Sequence, residues 1–304
     1  MANTFGTLAL GILLQRGLEL TFTKRPLLKA FTLNTRDLDG SAARVRKGQS
    51  VTTRKFAVAT VGDFGAAASE RNDADVAVTL SDHKQLLHTF TTAEQNQTDR
   101  NLIDESTLPM QIGLQNHIVD TAATKWTAAN FPTGAVTKGA GWDYNHLVAV
   151  RKVLQQRGVP EGQRYYICNS DVYASLLTDP MIVAEFNNAA NQEAIRSGNL
   201  PTVAGLMIAE YPDLPTNGEN LIGFAGSKDA IILAQRGPQN PEDLFGGNVR
   251  FPGNLAYIQE PLSGFTVMVN EFIEAVSRNA NVRLDWLQGF NVGNANNGIR
   301  IKSA

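Results

Sequence analysis

Four histidines, His83, His88, His117 and His146, and one cysteine, Cys168, are the residues from which metal or nucleophilic chemistry would have to be built. The histidines have no paired metal-ligand spacing, and no second cysteine accompanies Cys168. Asp143 with His146, and His117 with Asp120, stand three residues apart, which places each pair on one helix face. Such pairs are commoner as surface neighbours than as ligands. Cys168 closes the apolar run from Tyr165 and reads as a small buried residue. Pro261-Leu262-Ser263-Gly264 lacks the first glycine of a nucleophile elbow and reads as a turn. The stretch from Gly293 to Gly298 has phosphate-loop glycine spacing, yet Ile299 stands where the lysine must be. Gly139-Ala140-Gly141 lacks the third glycine of a dinucleotide loop. The carboxylates are scattered. No catalytic, cofactor-binding or metal site is expected.

The charge distribution is more informative. The first sixty residues carry ten Lys/Arg and three Asp/Glu, and the rest of the chain carries seventeen and twenty-six. A chain of net charge −2 is thus divided into a basic arm of +7 and an acidic body of −9. Within the arm, Arg44, Arg46, Lys47, Arg54 and Lys55 form a basic run. That run admits three readings: docking on an acidic neighbour, facing packaged nucleic acid, or a solvated hairpin. The opposite charge of the body favours the neighbour, and the nearest abundant acidic surface is another copy of the same body. The five basic residues are therefore the expected inter-subunit contacts.

Composition excludes several classes. Of 304 residues, 43% are hydrophobic and 18% charged, which suits globular domains with a sizeable core. A net charge of −2 argues against a dedicated nucleic-acid binder. A single cysteine rules out an intrachain disulfide and suits a reducing compartment. No segment is long enough to span a bilayer, so no membrane partner is expected. The run Leu8–Leu14 lacks the charged start and cleavage site of a signal peptide.

The elements that would position these residues follow from periodicity and punctuation. Residues 5–20 read as a short helix, 44–61 as a strand, 62–75 as a polar tip and 76–80 as a second strand. Together they make a long two-stranded projection, which is marginal alone in water. Pro109, with Ser106 or Thr107 as cap, opens a long helix. Leu108, Ile112, Val119, Ala122 and Trp126 form one apolar stripe on it, and Met110, Leu114 and Ile118 a second. A helix runs from its cap Asp143 to Gly158, a strand spans 164–169, and a helix opened by Ser170 ends before Pro180. Residues 181–197 read as helical. Strands follow at 204–211, 220–225, 230–236 and 253–260, then two with period two. In the first of these Phe265, Val267 and Val269 share a face, and in the second Val282, Leu284 and Trp286 alternate with Arg283 and Asp285. The order of elements is α+β.

Several tracts resemble the tailed-bacteriophage major capsid proteins. They are Trp142-Asp143-Tyr144 with Val150-Arg151-Lys152-Val153-Leu154, and Val159-Pro160-Glu161-Gly162 with the strand from Arg164 to Asn169. To these add the run from Gly198 to Leu206 with Tyr211-Pro212-Asp213-Leu214-Pro215 after it, Ser263-Gly264-Phe265, and a turn at Trp286-Leu287-Gln288-Gly289-Phe290. The resemblance implies the HK97-like fold: an N-arm (1–35), an extended β-hairpin loop (36–91), a peripheral domain with a long spine helix (92–135 and 251–304) and an inserted axial domain (136–250). It implies hexamers and pentamers that build the icosahedral head of a double-stranded DNA phage, assembled in the host cytoplasm. The implied partners are other copies of the chain, a portal, packaged DNA held without sequence preference, and in some relatives a decoration protein. A long charged helical extension, used by some relatives as a built-in scaffold, is missing from this sequence, so a separate scaffolding protein is expected. Some relatives cross-link a loop lysine to a neighbour's asparagine. Lys47 and Lys55 lie in the corresponding region, but no motif identifies a partner, and no covalent mesh is expected. The alternatives are an encapsulin-like compartment of the same fold and an α+β enzyme with a basic flap.

Overall fold

Alternating β-formers build a hairpin at the predicted place. The structure, a computed structural model, describes residues 32–34, 48–55, 64, 74–97, 102–132, 136–138, 141–162, 164–186, 200, 202–239, 253–259, 265–274 and 276–303. Strand β1 (Thr32–Asn34) precedes β2 (Ser50–Lys55), which pairs antiparallel with β3 (Ala74–Thr79) in a two-stranded sheet of their own. Val51 lies opposite Val78, both fully buried, and the base is closed by Gly48 N–H donating to the Leu80 carbonyl and Leu80 N–H donating to the Gln49 carbonyl, each at 2.8 Å. The predicted helix over 5–20 and most of the predicted tip over 62–75 fall outside the described residues.

Two elements follow that the sequence reading does not anticipate. β4 (Asp82–Phe90) forms a nine-residue strand. The short helix α1 (Thr92–Gln97) is opened by a capping box: the Thr91 backbone N–H donates to the Glu94 carboxylate at 2.9 Å, and the Glu94 N–H donates back to Thr91 Oγ1 at 3.3 Å. The long helix α2 (Leu102–Ala123) begins before the predicted cap and carries Pro109 in its interior. Proline there removes one backbone hydrogen bond but already holds a helical φ, and it sits on the exposed side, so the helix runs through it. Met110, Leu114, Ile118, Val119 and Ala122 are buried as expected, whereas Ile112 is 37% exposed. Trp126 is fully buried but lies beyond the helix end, where the Asn217 side chain donates to the carbonyls of Ala123 and Trp126 at 3.1 and 3.0 Å. The Ala123 carbonyl also accepts from the Trp126 backbone N–H at 3.1 Å, so Asn217 adds a second donor at the helix terminus.

β5 (Val136–Lys138) leads to α3 (Tyr144–Gln156), whose caps match the sequence reading. Asp143 accepts from the His146 N–H at 3.1 Å, and Gly158 adopts φ +70°. Val159 N–H then reaches Leu154 C=O and Gly158 N–H reaches Gln155 C=O, the bond pair of a Schellman motif. β6 (Arg164–Cys168) is buried along its whole length. α4 (Ser170–Leu177) is capped by Asn169, one residue before the predicted start, with Val172 N–H donating to its side chain at 3.0 Å. α5 (Pro180–Phe186) is described only to Phe186. The predicted strand over 204–211 is instead a tight hairpin of β7 (Thr202–Val203) and β8 (Leu206–Glu210). Ala204 (φ 51°) and Gly205 (φ 75°) make its two-residue turn, because primed turns match the twist of the flanking strands.

β9 (Leu221–Ser227), β10 (Ile231–Arg236), β11 (Asn254–Gln259), β12 (Thr266–Ile273), β13 (Ala280–Val292) and β14 (Gly298–Ser303) complete the chain. Residues Trp286–Phe290 are not a turn; they lie inside β13. Gly293–Gly298, with its phosphate-loop spacing, is a connection containing a single 3₁₀ turn capped by Asn294.

Two compact units result, divided inside α2 between Gly113 and Leu114. One holds the described residues of 33–113 and 233–293. Its six-stranded sheet has the order β1-β10-β13-β12-β11, with β4 also on β13. One face carries Leu284, Val269, Val267, Trp286 and Ile258, all buried, and Gly113 of α2 approaches Leu86 on the same face. The Gln235 side chain bonds both backbone groups of Thr266, accepting from its N–H at 2.7 Å and donating to its carbonyl.

The other unit holds the described residues of 114–232 and 294–303. Its sheet has the order β5-β14-β9-β6-β8-β7. Leu147, Val150 and Leu154 of α3 and Val172 and Leu176 of α4 pack in one core with Tyr166, Cys168, Ile208 and Ile301. Trp126 stacks on Phe224 at 4.9 Å with ring planes 3° apart, and Phe131 meets Phe224 edge-on. In two places strands fall differently from the expected segments: β14 pairs within the sheet of residues 136–227, and β4 pairs with a C-terminal strand.

Candidate assembly surfaces

The candidate chemical groups are absorbed by folding. Asp143 caps α3 and meets His146 Nδ1 at 3.0 Å, and the Trp142 ring lies edge-on to the same imidazole. Asp120 accepts a hydrogen bond from the Tyr211 hydroxyl, while His117 lies beside Thr121. Cys168 is fully buried; burial pushes its thiol pKa up, and its Sγ lies 3.9 Å from the Ala209 carbonyl. A thiol held protonated this way is a packing residue. Arg164 is 4% exposed, satisfied by the Val159 carbonyl and, at 2.6 Å, by the Gln155 amide oxygen. Among the described residues no group of three or more His, Cys, Asp or Glu is placed to hold a metal. No described helix is long and apolar enough to cross a membrane. Pro261–Gly264 lies outside the described residues.

The five basic residues expected at subunit contacts are only partly placed. Arg44, Arg46 and Lys47 lie outside the described residues. Arg54 and Lys55 are the last two residues of β2, in register with Asp75 and Ala74 of β3.

What the sequence reading misses are surfaces without charge. Ile273 and Val276, at the turn between β12 and β13, are 70% and 95% exposed. The turn beneath them is closed by Glu274 N–H to Asn279 C=O at 3.0 Å and Arg278 N–H to Glu274 C=O at 2.8 Å. Phe64, within the predicted tip, is fully exposed. In the second unit Val148 on α3 and Met181 on α5 are 42% and 62% exposed. Single apolar side chains on a surface are ordinary, but Ile273 and Val276 stand together on one turn. The available signal was the Val-Ser-Arg-Asn sequence at 276–279, a turn that begins with an aliphatic residue no core requires.

The chain belongs to the phage capsid protein family, whose model matches residues 33–227. Its fold is the HK97-like α+β fold. Similar solved structures include a chain from Mycobacterium phage Che8 (13% identity, TM-score 0.54, 88% of each chain covered). The capsid of the cyanophage P-SCSP1u is another (12% identity, TM-score 0.58, covering 90% of this chain and 86% of that one). A third is the mature capsid of bacteriophage PhiM1 (9% identity, TM-score 0.54, covering 92% and 87%). At these identities the likeness is one of fold. No curated protein sequence matches this chain. The protein is a major capsid protein, a structural component of the virion.

Proposed function

We propose that copies of this chain assemble as hexamers and pentamers into the icosahedral head of a tailed phage, around double-stranded DNA. The observation that carries this reading is the family match across residues 33–227, well over half of the chain. The hairpin of β2 and β3 forms a two-stranded sheet of its own, held at its base by the Asn291 side chain, which donates to the Ala77 carbonyl at 2.7 Å, and in this reading its tip reaches neighbours in the shell. In this reading residues 1–35 are the N-arm, 36–91 the extended loop, 92–135 with 251–304 the peripheral domain, and 136–250 the axial domain. Arg44, Arg46, Lys47, Arg54 and Lys55 dock the loop on an acidic neighbour. Assembly takes place in the host cytoplasm with a scaffolding protein and a portal, and the coat performs no catalysis.

Electron microscopy of the purified protein tests this. Concentrated protein is expected to form closed particles or curved sheets of hexagonal capsomers. A protein that remains monomeric at hundreds of micromolar (on the scale where weak repeated contacts act) overturns the reading. Particles that enclose an enzyme and no DNA when isolated from the natural host would instead favour the compartment-shell alternative.

A further inference from the structure

Among the described residues strand β4 pairs along one edge only. Its register with β13 is unbroken from Asp82 opposite Gln288 to Phe90 opposite Ala280, and β12 takes the other side of the same stretch of β13. Among the described residues nothing pairs with the outer edge of β4. One face of the strand is open, and the other is covered only at Leu86 and Phe90. His83, Gln85, Leu87 and Thr89 are exposed on one face, and Lys84 and His88 on the other. Leu87 is 51% exposed.

In an antiparallel ladder, alternate residues turn both N–H and C=O toward the partner, and the residues between turn theirs away. About half of the polar backbone of β4 therefore faces outward. Soluble proteins blunt such edges with prolines, bulges, lysines or a covering element. β4 has no proline, no shift across its nine registers, and Lys84 as its one lysine.

We propose that this edge accepts a strand from a second copy of the chain, extending the six-stranded sheet across a subunit contact. The inference rests on the coat-protein reading. Strength argues for a second copy as the occupant. A handful of outward hydrogen bonds, each of small net value, does not offset the freedom lost when an independent partner binds. A copy already placed by the other contacts of a shell meets the edge at high effective concentration, and there the same few bonds suffice. Chemistry agrees: apart from Asp82 and Lys84 the edge carries no charged pattern that would select a foreign ligand, only backbone, two histidines, Leu87 and Thr89.

Hydrogen exchange on the full chain, unassembled and in particles, tests this directly. Alternate amides across residues 83–89 are expected to exchange freely in the unassembled protein and to slow at least about a hundredfold in particles. A parallel series places proline singly: Gln85→Pro, Leu86→Pro, Leu87→Pro and His88→Pro. Two of the four remove an N–H bonded to β13 and lower Tm. The other two remove an outward N–H, keep Tm, and are expected to cut particle yield roughly tenfold, because proline blocks an edge without breaking the ladder behind it. Intact particles whose alternate amides still exchange freely, or normal yields from the two Tm-neutral proline variants, overturn the strand contact and leave the coat reading standing. If the wild-type chain gives no particles at all, the coat reading fails first, and the strand contact with it.

Discussion

Asp179 shows how much one side chain can organise in this fold. Its two carboxylate oxygens accept separate backbone N–H groups, Tyr144 at 2.7 Å and Met181 at 2.8 Å, so it joins the first turn of α3 to that of α5. The residue is 7% exposed, and little water can replace it. Removing it leaves two donors unsatisfied at helix starts, so Asp179→Ala should cost on the order of 2–4 kcal/mol. Urea unfolding followed by tryptophan fluorescence measures this, and a loss below about 1 kcal/mol would show that the helix starts find other partners. Asp285 behaves differently. Burial raises its pKa, against the opposing pull of Arg283 at 2.7 Å and of His83. A carboxyl raised in the folded state contributes its full stability below its unfolded pKa of about 3.9, and that contribution is lost as pH rises through the raised value. Asp285→Asn should therefore gain stability relative to the wild type as pH rises from roughly 4 toward neutrality. Stability curves that stay parallel across that range would refute it. Glu271 is raised by burial too, and Glu271→Gln should shift in the same direction.

Elements were legible where local chemistry decides them. Asp143 and Gly158 fixed both ends of α3, because a cap oxygen and a left-handed residue act on their own few neighbours. Threonine at 91 followed by glutamate at 94 was the same kind of signal for α1, present in the sequence but passed over. β4 was not legible, since Asp82, His83, Lys84 and Gln85 favour strand weakly and extend because β13 lies alongside. β13 misled in another way. Period two set Arg283 and Asp285 on the face opposite Val282, Leu284 and Trp286, yet Asp285 and Gln288 are buried too, because the strand is covered on both faces. Its Gly289 looked like a turn and is instead a close approach: a Cβ there would lie 2.0 Å from the Thr79 carbonyl oxygen, at the end of β3. Two glycine variants separate these causes. Gly158→Ala meets nothing within 4 Å and pays only for its left-handed backbone, about 1–2 kcal/mol. Gly289→Ala forces backbone apart, should cost more, and should loosen hydrogen-exchange protection of Val78 through Leu80 as well as of β13. Equal losses, with protection unchanged, would mean that the β3 end yields freely.

At the scale of the molecule the sequence carries an expectation about assembly in its charge, a basic arm of +7 against a body of −9. The basic positions could be named because charge is written in single residues. The exposure of Ile273 and Val276 could not be read there, since it depends on a turn that folding creates. Charge reversal tests whether the basic side is used. Arg44→Glu, Arg46→Glu and Lys47→Glu together take the first sixty residues from +7 to +1. Attraction between exposed charges is screened within about 10 Å at ordinary salt, so the triple variant acts only on surfaces the loop actually touches. If the loop docks on an acidic neighbour, the variant should keep the Tm of the wild-type monomer and lose most of its particle yield in light scattering and electron microscopy. The wild type should in turn assemble less readily as salt is raised. Normal shells from the triple variant, or wild-type assembly that strengthens with salt, would assign the docking to apolar burial, with the basic run left as solvated surface.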